Sequence, residues 1–290
     1  MTVDAASPAN AEQTAFWNAE AGESWARLQD RLDRQLQPLG RRVMAALGLA
    51  SAERVIDIGC GCGQTSLELA QAVGPRGSVL GIDVSAPMLA VARGRAPPPG
   101  SAPVRFIEAD AQVFDFQQAV ADAVFSRFGV MFFADPIAAF ANIRAALRPG
   151  GRLAFVCWRD VALNPFMTLP FAAAAPFLPE PPAPADPLAP GPFAFADGER
   201  LRAILAGAGF ADIALIPHDQ AIGPGNLEET TQVALNIGPL GRALRETPGR
   251  TQAVREAVRA ALAPHVTADG VLLASASWIV TAANPRRPRL

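Results

Sequence analysis

Apolar residues near the start of the chain recur at close to helical spacing. Between positions 11 and 48 they are interleaved with charged side chains, which is typical of an amphipathic helix. The apolar positions in this stretch are Trp17, Trp25, Leu28, Leu32, Leu36 and Leu39. We therefore expect an N-terminal helical segment over 1–48, with roughly its first ten residues mobile because they carry no such pattern.

From residue 49 to 160 short apolar runs alternate with helical patterns. The predicted strands are 54–58, 79–82, 104–107, 123–126 and 152–158, and the predicted helices are 64–73, 86–93 and 136–147. Strands separated by helices form a parallel sheet covered on both faces, and right-handed crossovers make that sheet doubly wound. The pattern predicts an α/β fold over 49–160 that binds its ligand beyond the carboxyl ends of the strands.

Beyond Trp158 the regular alternation stops. Residues 161–196 are rich in Pro, Ala and Phe, and this stretch is too long for an ordinary connection. Two interpretations stay open for it: an apolar lid over a substrate, or a small apolar cluster beneath a loop. Residues 197–290 are predicted to complete the sheet, with a helix at 198–206 capped by Asp197, strands at 212–216 and 277–282, a helical insertion over 222–265 and a frayed tail.

Composition excludes several classes of partner and chemistry. The formal charge of −2 gives no electrostatic reason to expect nucleic acid or an anionic membrane as partner. All 25 Lys and Arg residues are Arg, and Tyr is absent. The chain therefore has neither a lysine for Schiff-base chemistry nor a tyrosine to serve as a phenolic acid. The oligomeric state stays open.

The three cysteines indicate reduced thiols. Cys60, Cys62 and Cys157 all fall in predicted strands or turns of the core, and no nearby Cys or His completes a zinc set. We therefore expect no metal site. The N-terminus shows no signal-peptide pattern and no apolar run reaches about 18 residues, so we expect a cytoplasmic protein without a membrane span.

The run Asp57-Ile58-Gly59-Cys60-Gly61-Cys62-Gly63 links the first predicted strand to the helix at Gln64. A dinucleotide fingerprint needs a glycine or alanine at its sixth position, where this chain has Gln64 or Ser66. An acid so close to the turn is also unsuited to a pyrophosphate, which prefers bare helix N-terminal amides. A cofactor with a protonated amino group would instead be stabilised by that carboxylate.

These motifs resemble those of the class I S-adenosylmethionine-dependent methyltransferases, clearly over 54–158 and more loosely beyond. The resemblance rests on the Asp57–Gly63 run, on Asp83 after the second strand, and on the runs Glu108-Ala109-Asp110-Ala111 and Leu147-Arg148-Pro149-Gly150-Gly151. The nearest type is that of the small-molecule methyltransferases of ubiquinone and menaquinone biosynthesis. It implies a Rossmann-like, seven-stranded, mostly parallel sheet and S-adenosylmethionine as the cofactor.

The resemblance also implies a role for each motif residue. Asp83 would bind the ribose hydroxyls and Asp110 the adenine amino group, while the glycine loop and Arg127 would border the methionine end. The full set of candidate cofactor-binding residues is Trp17, Asp57, Gly59, Gly61, Gly63, Gln64, Asp83, Val84, Met88, Asp110, Ala111, Ser126 and Arg127.

Each charged candidate also has a plain structural interpretation. Asp57 would be a buried acid bound to amides of its own turn, and Asp83 a cap for the following helix, although Ser85 is a better cap. Asp110 would merely end a strand, and Arg127 would be a surface ion-pair partner. The sequence leaves both interpretations open at each position.

The implied reaction is an in-line displacement at a methyl carbon, which needs mainly proximity and alignment. A general base is required only when the acceptor keeps a proton at neutral pH, and His218 is the candidate for that role. Phenylalanines at 166–195 and around Arg127 favour a small apolar or aromatic acceptor. The alternatives are a nicotinamide-dependent oxidoreductase and a non-catalytic S-adenosylmethionine-binding protein.

Overall fold

A computed structural model describes residues 10–118, 120–179, 186 and 188–286. The strands are β1 Arg54–Ile58, β2 Ser78–Asp83, β3 Val104–Glu108, β4 Ala121–Arg127, β5 Leu147–Trp158, β6 Ala211–Ile222, β7 Val266–Thr267, β8 Gly270–Val271 and β9 Leu273–Ala283. The helices are α1 Ala11–Asn18, α2 Glu20–Leu47, α3 Gln64–Val73, α4 Ala86–Gly94, α5 Pro136–Ala146, α6 Pro165–Ala174, α7 Gly198–Gly207, α8 Leu227–Asn236, α9 Gly238–Glu246 and α10 Thr251–Leu262.

Seven strands form one sheet in the order β3-β2-β1-β4-β5-β9-β6. The first five are parallel, and β9 pairs antiparallel with both β5 and β6. Strand order reverses between β1 and β4, where the chain crosses from one half of the sheet to the other. The predicted doubly wound, mostly parallel sheet is confirmed, and the reversal is where sheets of this kind bind their ligands.

The last two strands of the sheet are longer than their apolar patterns indicate. The sequence predicted strands at 212–216 and 277–282, but β6 continues to Ile222 and β9 begins at Leu273. Pro217 and Asp219 interrupt the apolar pattern in β6, yet both pair in register with β9. Antiparallel backbone pairing with β9 therefore extends this strand beyond the point where its side chains predict an end.

The N-terminal segment consists of two helices, because extended backbone at Ala19 separates α1 from α2. The prediction of mobility for the first residues falls largely on 1–9, outside the described part of the chain. No helix among the described residues is long and apolar enough to cross a bilayer. The division into four segments stays a prediction.

The main core lies on both faces of the sheet and includes a cluster of phenylalanines. The ring of Phe140 on α5 lies 5.5 to 6.5 Å from those of Phe155, Phe195 and Phe210. A second apolar cluster joins α6 to α8, α9 and α10. Phe166 on α6 packs against both clusters. This packing agrees with the apolar-cluster interpretation of 161–196, and most of its proline-rich run lies outside the described residues.

Asn164 fixes the start of α6 to β9. Its side chain is fully buried, and Oδ1 accepts a hydrogen bond from the amide of Ala276 at 2.9 Å. Nδ2 donates to the carbonyls of Arg159 at 3.3 Å and Asp160 at 2.9 Å. One side chain thus satisfies three backbone groups where the regular α/β alternation ends.

Replacing Asn164 by alanine is expected to lower the free energy of unfolding by about 2–4 kcal/mol, because buried backbone groups lose their partners. Urea unfolding of the purified protein measures this loss. Asn236→Ala is the matched control, since its amide nitrogen bonds the carbonyl of Gln232 within its own helix and its amide oxygen accepts an exposed hydrogen bond from Arg27. Equal losses in the two variants would contradict the assigned role.

Candidate functional site

Asp57 lies at the end of β1 and is fully buried. Its Oδ2 accepts hydrogen bonds from Thr65 Oγ1 at 2.7 Å and Ser66 Oγ at 2.6 Å. Oδ1 has no hydrogen-bond partner among the described residues. Burial raises the pKa of Asp57 to about 6, against the lowering effect of the two hydroxyls and of Arg127. The structural interpretation expected Asp57 to bind amides of its own turn. In the structure its partners are instead two hydroxyls of α3.

The three glycines of the loop all adopt positive φ, which side-chain-bearing residues rarely do. A Cβ on Gly59 would lie 2.6 Å from the Cα of Gly129, so two backbone segments meet there. Gly63 is equally confined by side chains on α4 and β3. Gly61 differs, because its nearest neighbour would be Met88 Sδ at 3.7 Å. Gly59 and Gly63 are thus required by packing, and Gly61 presents an open face.

Asp83 at the end of β2 binds the glycine loop directly. Its Oδ2 accepts from the Gly61 amide at 2.8 Å and its Oδ1 from the Ser85 amide at 2.9 Å. Burial raises the pKa of this carboxyl, while the amides lower it. Ser85 caps α4 by accepting from the Met88 amide. The cap is therefore Ser85, as expected, and the Asp83 carboxylate, which has about four acceptor positions, keeps some acceptor capacity beside these amides.

Asp110 follows β3 and is also buried. Its Oδ1 accepts from Asn10 Nδ2 at 3.1 Å and from the Gln112 amide at 2.9 Å. Oδ2 has no donor among the described residues. The carbonyl of the buried Ala111 accepts a hydrogen bond from Asn142 on α5. One oxygen of the Asp110 carboxylate is thus fixed by two hydrogen bonds, and the other has no partner among the described residues.

Arg127 at the end of β4 is an internal ion-pair partner. Its guanidinium bonds to Gln64 and lies 3.1 Å from Asp33 Oδ1 on α2. The Arg127 and Asp33 side chains are only 12% and 14% exposed, so the pair is not a surface one. Asp33 also pairs with Arg95 at 2.9 Å. The sequence missed Asp33, because a polar residue in an amphipathic helix carries no sign of its partner.

Ser126 and the residues after it form a tight turn next to the glycine loop. The buried Ser126 Oγ accepts from the Gly129 amide at 3.2 Å, so this hydroxyl serves the turn. Phe128 has a φ of +61°, which is strained for a bulky residue and typical of functional sites. Its ring stacks 4.0 Å from Trp158, which lies 4.8 Å from Phe166. An aromatic row therefore runs from the end of β4 to α6.

Two candidate residues, Trp17 and His218, lie outside the group of acids and glycines at the strand ends. Trp17 packs edge-to-face against Phe132 and Trp25 at the end of α1. His218 lies on β6, with its ring 3.0 Å from Gln220 Oε1. Since β6 is three strands from β4, the strand that carries His218 runs about 14 Å from the strand that carries Arg127. The fold brings together the candidates on β1 to β4, and His218 is not among them.

The comparisons with known proteins agree with this geometry. The family described as "Methyltransferase domain" matches residues 55–151. Demethylmenaquinone methyltransferase of Thermus thermophilus is 34% identical over 181 residues, which are 59% of this chain and 80% of that protein. The chain belongs to the class I S-adenosylmethionine-dependent methyltransferases.

A second relative of this methyltransferase is matched over a smaller part of its length. Aklanonic acid methyltransferase DauC of a Streptomyces species is 36% identical over 118 residues, 41% of this chain. The match spans about half of that relative, 54% of its length.

A solved structure of a putative methyltransferase from Bacillus halodurans has a TM-score of 0.54 at 18% identity, over 85% of this chain and 98% of its own. At that identity the likeness shows the fold alone.

The raised pKa of Asp57 predicts a stability that falls as pH rises. Between about pH 4 and pH 6 the folded protein keeps a proton on Asp57 that the unfolded chain has lost. The wild type should therefore lose on the order of 2–3 kcal/mol relative to Asp57→Asn over this range. Urea unfolding of both proteins from pH 4 to pH 7 measures the difference.

Asp122→Asn is the control with the opposite sign. Hydrogen bonds and charges of Arg54 and Arg148 hold the pKa of Asp122 below its usual value. Its stabilising contribution is therefore lost only below about pH 4, and the difference between wild type and Asp122→Asn should stay nearly constant from pH 4 to pH 7. A pH-independent difference between wild type and Asp57→Asn would contradict the assignment.

Proposed function

We propose that this methyltransferase moves a methyl group from S-adenosylmethionine to a small, largely apolar or aromatic acceptor and releases S-adenosylhomocysteine. The observation that carries the proposal is the row of buried carboxylates at the adjacent ends of β1, β2 and β3. Asp57, Asp83 and Asp110 each keep acceptor capacity that no described residue uses, beside the open face of Gly61. A cofactor rich in donors and positive charge fits such a site.

The groups of the cofactor match these acceptors one by one. The methionine ammonium complements Asp57 Oδ1, the two ribose hydroxyls complement Asp83, and the adenine amino group complements Asp110 Oδ2. The methionine carboxylate matches Arg127, whose contacts with Asp33 and Gln64 use two of its five N–H groups. Val84 and Met88 would line the nucleoside, and Ala111 would offer its amide.

The protein contributes alignment and exclusion of water. S-adenosylmethionine supplies a methyl group on a sulfonium, already activated for in-line displacement. Residues held by several contacts each, such as Asp83 and Arg127, orient the cofactor without rearrangement. Well-aligned reactants gain roughly 7–11 kcal/mol from proximity alone. The position of His218 does not support it as a general base, so the proposal rests on alignment.

The acceptor class is inferred from the aromatic row. Phe128, Trp158 and Phe166 follow one another from the end of β4, next to Arg127, into the second apolar cluster. Such a wall favours planar or apolar molecules. Two relatives are named for demethylmenaquinone and aklanonic acid, which is consistent with this class. Family membership also supports methyl transfer over the nicotinamide-dependent alternative.

The variant Asp83→Asn is expected to weaken binding of S-adenosylhomocysteine at least about tenfold, because it removes charge-assisted hydrogen bonds to the ribose. Isothermal calorimetry measures the Kd. Asp122→Asn serves as control, since Asp122 lies near the amino end of β4, away from the carboxyl ends of the strands. A wild-type protein that binds NADH but not S-adenosylhomocysteine would overturn the proposal.

The variant Phe166→Ala is expected to lower kcat/KM for the acceptor about tenfold while leaving the Kd for S-adenosylhomocysteine unchanged, because it removes one ring of the aromatic wall and none of the proposed cofactor contacts. Transfer of a tritiated methyl group to a panel of quinols, phenols, amines and fatty acids measures the activity. Phe177→Ala is the matched control, because Phe177 packs against the second cluster alone. Equal effects of the two variants would count against the aromatic wall as the acceptor site.

A further inference from the structure

One face of α1 carries a polar stripe. Asn10, Thr14 and Asn18 are spaced four residues apart, so they lie one above another on the helix. Asn10 Nδ2 donates to Asp110 Oδ1 at 3.1 Å, after β3. Asn18 Nδ2 donates to the carbonyl of Val84 at 2.7 Å, after β2. The stripe therefore spans the carboxyl ends of β2 and β3, and Thr14 lies between the two anchors.

Three oxygens along this span are buried and unpartnered. Asn10 Oδ1, Thr14 Oγ1 and Asp110 Oδ2 have no hydrogen-bond partner among the described residues. Because Asn10 donates its amide nitrogen to a carboxylate, which can only accept, its amide oxygen must be the free atom. Buried polar atoms are rarely left unpaired in proteins. Two acceptors and one hydroxyl on neighbouring parts of this span thus lack partners, which points to a ligand with matching groups.

The placement of α1 is itself fixed at its other end. Ser85 Oγ donates to the carbonyl of Trp17 at 2.7 Å. A Cβ on Gly22 would lie 2.0 Å from that carbonyl oxygen and 2.6 Å from Ser85 Oγ, so the start of α2 approaches α4 closely. The Trp17 ring packs edge-to-face against Phe132 beyond β4. The polar stripe is therefore held against the strand ends by contacts that do not involve the stripe itself.

We propose that Asn10 and Thr14 form, with Asp110, the adenine-binding side of the cofactor site. The inference rests on the proposed function. An exocyclic amino group offers two hydrogens, which match Asn10 Oδ1 and Asp110 Oδ2. The Thr14 hydroxyl donates to a ring nitrogen. A 6-oxo purine presents an acceptor to these two oxygens and is repelled, so α1 gives the site its selectivity for the amino base.

Thr14→Val separates recognition from packing. Valine keeps the shape of threonine and removes a buried, unpartnered hydroxyl, so the Tm of the ligand-free protein should stay unchanged or rise. Binding of S-adenosylhomocysteine should weaken about 5–10-fold, since one hydrogen bond is lost. Thr14→Ser, which keeps the hydroxyl, should restore the affinity. Ala15→Val is the control, with the same valine on the exposed face of α1.

Asn10→Ala tests the selectivity. The wild type should bind S-adenosylhomocysteine at least about tenfold more tightly than S-inosylhomocysteine, its 6-oxo analogue, and Asn10→Ala should reduce this ratio about threefold or more. Calorimetry with the two compounds gives both affinities.

Unchanged affinity in Thr14→Val and an unchanged ratio in Asn10→Ala would overturn the inference, while binding weakened by Asp83→Asn would leave the proposed function standing. A wild-type protein that binds neither compound overturns both.

Discussion

The contact between Gly59 and Gly129 is the constraint on which the rest of the site depends. A side chain on either glycine would lie within 2.8 Å of the other's backbone, so the ends of β1 and β4 meet at van der Waals distance. This approach sets the path of the glycine loop, whose Gly59 and Cys60 amides bind the carbonyl of Ile82 on β2. The same path directs the Gly61 amide to Asp83. The strand ends are thereby joined by backbone atoms, which leaves little freedom for the acids between them.

Buried charge is the second feature of the site. Asp57 and Asp83 lie close enough for the charge of Asp83 to raise the pKa of Asp57, and burial raises the pKa of both. Such an arrangement is unfavourable by itself and is balanced by the hydroxyls of α3, by backbone amides and by Arg127. A cationic cofactor would relieve it further. Burying these carboxylates thus lowers the stability of the protein and at the same time preforms the proposed site, a combination that is common at functional positions.

The two halves of the proposed reaction differ in how they are built. The cofactor side uses strand ends and loop backbone, whose geometry follows from the sheet. The acceptor side uses the aromatic row of Phe128, Trp158 and Phe166, which joins the sheet to the second apolar cluster. Of these three residues Phe166 alone also packs against the second cluster, whose side chains can change without disturbing the strand ends. Separate origins of this kind explain how one fold accommodates many acceptors.

Local signals in the sequence determined the β1–loop–α3 unit, the Asp197 and Ser85 caps and the positions of the first five strands along the chain. Periodicity, glycine spacing and capping act over a few residues, so they can be read without a structure. Only the tertiary structure decided that Arg127 meets Asp33, 94 positions away, and that Asn10 meets Asp110, 100 positions away. The role of Gly129 depends on its contact with Gly59, which the sequence does not indicate. The length of β6 likewise depends on its pairing with β9. A polar residue on a helix has the same local pattern whether water or a buried partner faces it, so the partner is known only once the chain has folded.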